Sequence, residues 1–196
     1  MLAKGRSFKI LLNKNFLYIF LILILSFENL AIADEKQNII DKLKNTKSLK
    51  FNFKQKTNEK IESGVCYLAF PKKLKCNYED NNQKELIINK SRLAITQKRY
   101  NKTLYYSVKK SPFLKILDKK QLINLIERSI LEHKNNQIHL TRINDDKQKI
   151  TILFKKKNFD LKGWKINDQF ENKISFLIEI LSKNEEINLK IFEIPS

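Results

Sequence analysis

From Ser48 onward the chain alternates between apolar and polar positions. Leu49, Phe51 and Phe53 are interleaved with Lys50, Asn52 and Lys54, a period of two that turns one side of a strand toward an apolar environment and the other toward water. The pattern is densest from Gly64 to Asp80. Cys66, Leu68 and Phe70 share one face; after Pro71, Leu74, Cys76 and Tyr78 share a face while Lys73, Lys75 and Asn77 occupy the other. Phe70-Pro71-Lys72-Lys73 supplies the turn, because proline fixes φ and cannot donate to a ladder. This stretch predicts a β-hairpin with one dry face. Similar alternation returns at Leu86 and Ile88, at Leu93 and Ile95, and at Leu104, Tyr106 and Val108. It resumes at Ile138 and Leu140, at Ile150, Ile152 and Phe154, and at Phe159 and Leu161 leading into Gly163-Trp164. It ends at Ile174, Phe176, Ile178 and Ile180 and then at Ile187, Leu189 and Ile191. Turns rich in Asn, Asp, Lys and Ser separate these segments, so about ten or eleven strands of an antiparallel meander are expected.

Three short stretches carry a helical period instead. Residues 34–47 open with Asp34 as a cap and Gln37 three positions on, and Ile39, Ile40 and Leu43 form a stripe. Ser111 is a good N-cap and Pro112 fits the first helical position ahead of Phe113, Leu114 and Leu117. From Gln121 to His133, Leu122, Leu125, Ile126, Ser129 and Ile130 share a face, so the region from Ser111 forms one helix or two. A single sheet of ten or eleven strands, each apolar on one face, curls or closes to bury that face. The candidate lining of its interior is Phe51, Phe53, Leu68, Phe70, Leu74 and Tyr78, continued by Leu93, Ile95, Leu104 and Tyr106. Ile39, Ile40, Leu43, Phe113, Leu114 and Leu117 are the candidate lid. Such an interior is filled by its own side chains or kept partly open for an apolar ligand.

The N-terminus changes the compartment. Lys4, Arg6, Lys9 and Lys14 precede an apolar run from Phe16 to Phe27, Glu28 ends the run, and Ala31-Ile32-Ala33 follows. A basic segment, a short apolar segment and an A-x-A site compose a secretory signal peptide over residues 1–33. A membrane anchor would need roughly 20 apolar residues, and Glu28 interrupts the run. No cysteine lies near the cleavage site, so the expected product is a soluble single domain, 34–196, without a thioether-linked lipid. Cleavage removes four basic residues and one acidic residue and takes the net charge from +18 to +15.

A chain this basic invites a nucleic-acid reading, but 34 of its 39 basic residues are lysines scattered along the sequence, and only five are arginines able to make bidentate base contacts. Nucleic acid is therefore not expected as a partner, although the field would steer the protein toward anionic membrane surfaces. Cys66 and Cys76 are too far apart for a C-x-x-C redox motif. On the predicted hairpin they point to the same face of adjacent strands, so either a disulfide, favoured in an oxidising compartment, or a pair of buried thiols results.

The residues offer no catalytic constellation. Gly5, Gly64 and Gly163 are the three glycines, too few and too dispersed for a nucleophile elbow or a phosphate loop. His133 and His139 lack partners at metal-ligand spacing, and Asp145-Asp146 and Glu185-Glu186 fall in predicted turns. A binding protein without metal or cofactor is the expectation.

The order of these segments resembles the LolA family of periplasmic lipoprotein carriers. SLKFNFKQK is similar to the family's S-x-x-a-x-F-x-Q opening at Ser48, Phe53 and Gln55. Gly64, Tyr67, Leu68, Pro71, Lys73, Leu74 and Tyr78 match G-x-x-Y-L-x-x-P-x-K-L-x-x-x-Y, and Asn89-Lys90-Ser91 stands in the place of the turn in the family's next hairpin. SPFLKIL resembles the lid helix, LKGWKINDQFENKISFLIEI the late tryptophan run, and IFEIP the terminal F-x-F-x-P. The resemblance implies a mainly β fold, an unclosed antiparallel half-barrel covered by a helical lid over an apolar cavity. It also implies a monomeric carrier, in the periplasm of a Gram-negative bacterium, that receives triacylated lipoproteins from an inner-membrane ABC release complex and delivers them to an outer-membrane acceptor. One departure stands out: the family commonly carries a lid-latching arginine before the turn proline, where this chain has Phe70. Packing of Phe70 under Phe113 and Leu117 is the expected substitute. The same half-barrel also occurs in periplasmic sensor modules, and a filled-core basic protein on anionic membrane surfaces is a third possibility.

Overall fold

The computed structural model describes residues 34–109, 111–143, 148–167 and 172–195. The expected signal segment 1–33 lies outside the described residues. Helix α1 occupies residues 34–45. The strands are β1 (Ser48–Thr57), β2 (Lys60–Ala69), β3 (Lys73–Tyr78), β4 (Lys84–Asn89), β5 (Arg92–Gln97), β6 (Lys102–Ser107), β7 (Ile130–Lys134), β8 (Gln137–Ile143), β9 (Lys149–Lys155), β10 (Leu161–Asn167) and β11 (Lys173–Lys183). Two short helices, α2 (Pro112–Leu117) and α3 (Lys119–Glu127), stand between β6 and β7.

All eleven strands form one antiparallel sheet in the order β6-β5-β4-β3-β2-β1-β11-β10-β9-β8-β7. Every pair is a sequential hairpin except β1 with β11, so the chain starts mid-sheet, meanders to the β6 edge, crosses to the β7 edge through α2 and α3, and returns. The sheet is not closed into a barrel, and β6 and β7 are its two free edges. The fold is mainly β, as the alternation predicts.

Local chemistry sets the register. In β2–β3, Cys66 stands opposite Cys76, Leu68 opposite Leu74 and Gly64 opposite Tyr78, so the dry faces of the two strands coincide. Asn135 and Asn136, with φ of 49° and 57°, form the two-residue turn between β7 and β8; asparagine tolerates the left-handed geometry that such hairpins require. Ser111 Oγ caps α2 by accepting from Phe113 N at 3.3 Å. Asp118, extended at φ −103° and ψ 111°, ends α2, and its Oδ1 caps α3 by accepting from Gln121 N at 3.1 Å. The region is therefore two helices.

One apolar core lies on the sheet's inner face, where α1 contributes Ile39, Ile40 and Leu43, α2 and α3 contribute Leu114, Ile116, Leu117, Leu122, Leu125 and Ile126, and the strands contribute their alternate positions.

Four sequence expectations are corrected. Residues 46 and 47 lie beyond the end of α1. Phe159 sits in a turn at φ 56° ahead of β10 and not within a strand. Ile130 belongs to β7 rather than to a helix and is exposed; the tight Asn135-Asn136 turn pairs the five residues before it with β8, and that pairing overrides the helical period. Ile187, Leu189 and Ile191 form no strand: β11 already has β1 and β10 as neighbours, so no edge is vacant beside it. The chain instead turns at Asn184 (φ 59°) and makes a 3-10 turn, Leu189–Phe192, packed near β3 and β4. Phe192 is fully buried there, and its carbonyl accepts from Asn89 Nδ2 at 3.1 Å.

Candidate functional site

An aromatic ladder crosses the inner face. Tyr78 meets Phe53 edge-on at 4.9 Å between ring centroids, Phe53 stacks on Phe176 at 4.9 Å, and Phe176 stacks on Trp164 at 4.5 Å. Phe113 of α2 completes it, 5.4 Å from Trp164. Gly64 makes the first step possible. It lies between Phe53 and Tyr78 in the register, and a Cβ there would fall 2.9 Å from the Phe53 ring and 2.1 Å from Asn77 O. Only glycine lets the two rings meet over β2.

Beside this ladder lies a cavity of about 280 Å³. Leu74, Cys76, Leu86 and Ile95 line it from β3 to β5, Ile166, Ile174, Trp164 and Phe176 from β10 and β11, and Phe113 from α2. Its volume is close to the lower bound of roughly 300 Å³ for small-molecule pockets. A larger groove of about 420 Å³ lies on the outer face, but Lys50, Lys75, Glu185 and Glu186 are among its walls. The smaller, apolar cavity is the better ligand site for that reason.

One end of the cavity is polar. The Tyr78 hydroxyl donates to Gln55 Oε1 at 3.3 Å, and Lys84 Nζ sits 3.7 Å from the Tyr78 ring centroid. Lys84 also pairs with Glu62, which Lys60 joins at 2.9 Å. Burial alone would raise the Glu62 pKa, but hydrogen bonds and charge from Lys84 and Lys60 outweigh it and leave the carboxyl below its usual range. Burial, followed by the negative charges of Glu62 and Asp80, pushes the Tyr78 hydroxyl above its usual range, so it remains a donor.

The α2–α3 junction is tied to the β2–β3 turn. Lys72 N donates to Leu117 O at 2.8 Å, and Lys72 Nζ pairs with Asp118 at 2.7 Å. Lys119 Nζ stands 5.3 Å from the centroid of the Phe70 ring. Burial works to raise the Asp118 pKa, yet the hydrogen bonds from Lys72 and the Gln121 amide prevail, and the carboxyl lies below its usual range.

The expected cavity residues divide into three groups. Leu74, Tyr78 and Ile95 line the cavity, as does Phe113 from the expected lid. Phe51, Phe53 and Leu68 are packed within the core, with Phe70 partly buried against it. Leu93 is half-buried, while Leu104 and Tyr106 face the same side from the edge strand and are exposed. Of the expected lid, Ile39, Ile40, Leu43, Leu114 and Leu117 are buried in the core. Cys66 and Cys76 face each other with sulfurs 1.99 Å apart. Trp164, Phe176 and Leu86 also line the cavity; their inward parity is legible in the sequence, but nothing there singles them out for the site. The lysine latch escapes sequence reading because Lys72 follows the proline, where a left-handed φ of 59° turns the backbone toward α2.

Among the described residues no cluster of His, Cys, Asp and Glu is arranged to hold a metal ion, and no helix is long and apolar enough to cross a membrane. No curated protein matches the chain. An uncharacterized conserved protein from Thermus thermophilus superimposes with a TM-score of 0.53 at 7% identity, over 83% of this chain and 94% of its own, which shows the shared fold. A LolA superfamily protein from Nitrosomonas europaea covers 80% of this chain and 96% of its own with a TM-score of 0.44 at 10% identity. The lipoprotein LppX of Mycobacterium tuberculosis covers 81% and 97% with a TM-score of 0.44 at 13% identity. Residues 44–195 match the family described as outer membrane lipoprotein carrier protein LolA. With the whole sheet inside that match, the chain belongs to the LolA family.

Proposed function

We propose that this protein is a periplasmic lipoprotein carrier. It takes the acyl chains of a triacylated lipoprotein from an inner-membrane ABC release complex, shields them, and passes them to an outer-membrane acceptor. Residues 1–33 are the export signal, 34–196 act as one monomeric domain, and Cys66 and Cys76 form a disulfide that braces the cavity wall. The task is binding and needs no chemical step. The observation that carries this reading is the apolar cavity under Phe113, continued toward the uncovered inner-face side chains Leu104 and Tyr106. Each acyl methylene exposed to water costs about 0.8 kcal/mol, so three chains cannot cross an aqueous compartment unshielded. A cavity of about 280 Å³ is small for three chains. Loading therefore moves α2 away from the sheet, and the Lys72–Asp118 pair re-forms on emptying.

The test is a release assay with inner-membrane vesicles containing the ABC complex, ATP and a labelled triacylated lipoprotein. A soluble one-to-one complex is expected, and Ile95→Trp, which fills the cavity, or Ile95→Asp, which charges it, should abolish the complex without unfolding the protein. If nothing is solubilised while an established carrier works in the same vesicles, the carrier reading fails and a sensor module of the same fold takes its place.

A further inference from the structure

From Leu86 to Leu117 the sequence holds eight Lys or Arg residues and no Asp or Glu. The chain has 21 acidic residues against 39 basic ones, and the other long stretches without an acidic residue, 1–27 and 42–58, are shorter than this one. This stretch includes β5, β6 and the turn between them, and β6 is one free edge of the sheet. The same stretch contains Tyr100, Tyr105 and Tyr106, half of the six tyrosines in the chain, all at least 50% exposed, with Leu104 beside them.

The pairing arranges the charges around the aromatic groups. Gln97 stands opposite Lys102 and Arg92 opposite Ser107, so Arg99 and Lys102 lie at one end of β6 and Arg92 and Lys109 at the other. All four are exposed. The other free edge lacks this character: β7 reads Ile130-Leu131-Glu132-His133-Lys134, of mixed sign and without an aromatic apart from histidine.

We infer that the β6 edge, with the β5–β6 turn, is a docking surface for an anionic lipid leaflet. Tyrosine rings with an apolar body and a polar tip settle at the headgroup level of a bilayer, and flanking Lys and Arg are drawn to its negative surface potential. A strand of a partner protein is the weaker fit, because lysines at the ends of an edge strand oppose strand addition. Leu104 and Tyr106 face the inner side of the sheet from this same strand. A leaflet docked here therefore touches the uncovered inner face, and an acyl chain can pass between them without crossing water. The inference does not depend on the carrier reading, since vesicle binding needs neither a release complex nor a lipoprotein.

Protein recovered in soluble form after export is mixed with vesicles of phosphatidylcholine alone, or of phosphatidylcholine with phosphatidylglycerol, and co-sedimented at low and high salt. Binding is expected only to the phosphatidylglycerol vesicles, and high salt should weaken it. The triple variant R99E/K102E/K109E should lose about 100-fold in partitioning or more. A control with the same change in net charge, K155E/K156E/K157E, alters exposed lysines at the end of β9 and just after it and should lose much less. Tyr100→Ser with Tyr106→Ser should weaken binding while preserving its salt dependence. Equal losses in the two charge variants would mean that net charge alone binds, and overturn the inference. Equal binding to both vesicle types, or none to either, would also overturn it; absence of binding would leave an acidic protein surface as the partner for this edge.

Discussion

The two halves of the sheet carry the same alternation and meet different ends. On the β8–β9 side, Ile138, Leu140, Ile150, Ile152 and Phe154 are all fully buried. On the β5–β6 side, Leu93 and Ile95 are half-buried, and Leu104 and Tyr106 are 39% and 50% exposed. The helices explain the difference. Lys42 of α1 is held to the β9–β10 turn by Asp160 at 2.6 Å, and Arg142 of β8 donates to Arg128 O at the end of α3 at 3.4 Å. Both helices are thus anchored toward one half, and α2 reaches only as far as the cavity. Alternation specifies which face is dry; what lies over that face decides whether it becomes a core or a binding surface.

The largest test of this contrast pairs two leucines. Leu140→Ala removes a fully buried side chain and should cost about 2–5 kcal/mol, the cost of a large-to-small core substitution. Leu104→Ala removes one already 39% exposed and should cost under about 1 kcal/mol, since little apolar area is returned to water. Urea unfolding reads both. Equal costs would mean that the β5–β6 side is packed as a core, and the proposed opening would have to be abandoned.

This asymmetry also marks how far the sequence can be read. The β1–β3 strands, the Cys66–Cys76 juxtaposition and the cap at Ser111 follow from residue type and period alone, and the strand count agrees with the structure. That agreement conceals an exchange. β7 takes the place of the expected terminal strand, because a two-residue asparagine turn captures Ile130–Lys134 and β11 has no vacant neighbour. Within the site, inward parity is legible for Leu74, Tyr78 and Ile95, but parity cannot separate Phe51, sealed in the core, from Ile95 at the cavity. That separation depends on where helices distant in sequence come to rest. The Lys72–Asp118 latch is illegible for a related reason: its partners are far apart in the chain and meet only after the β2–β3 turn docks on the α2–α3 junction.

The latch gives a prediction of intermediate size. Asp118→Asn preserves a capping side chain for α3 but removes the charge that Lys72 meets. At neutral pH it should lower stability by about 1 kcal/mol, the scale of a partly exposed ion pair with a charge-assisted hydrogen bond. It should also speed hydrogen exchange in α2 and α3 more than in β8 or β9. The Asp118 pKa is depressed below its ordinary 3.8. Its stabilisation is therefore fully present above that value and is lost as pH falls through the lower folded value. The gap between wild type and Asp118→Asn should shrink below pH 3.8. A gap that stays constant into acid would show that the carboxylate charge does not hold α2 and α3 against the β2–β3 turn.

The smallest expected effect is at the polar end of the cavity. Tyr78→Phe keeps the ring that meets Phe53 at 4.9 Å and stands beneath Lys84 at 3.7 Å. It removes only the hydroxyl that donates to Gln55 at 3.3 Å. A single neutral hydrogen bond contributes about 0.5–1.5 kcal/mol net, and this one is long, so a loss near the lower figure is expected in urea unfolding. Gln55 can recover a donor, because it is only half-buried and water can replace the phenol. The aromatic ladder would then be held by its rings, and the hydroxyl would serve mainly to keep the cavity's end polar. A loss above about 2 kcal/mol, beyond the range for such a bond, would make the hydroxyl a structural anchor. The ladder would then depend on its polar end, and the open half of the sheet would be more rigid than its exposed side chains indicate.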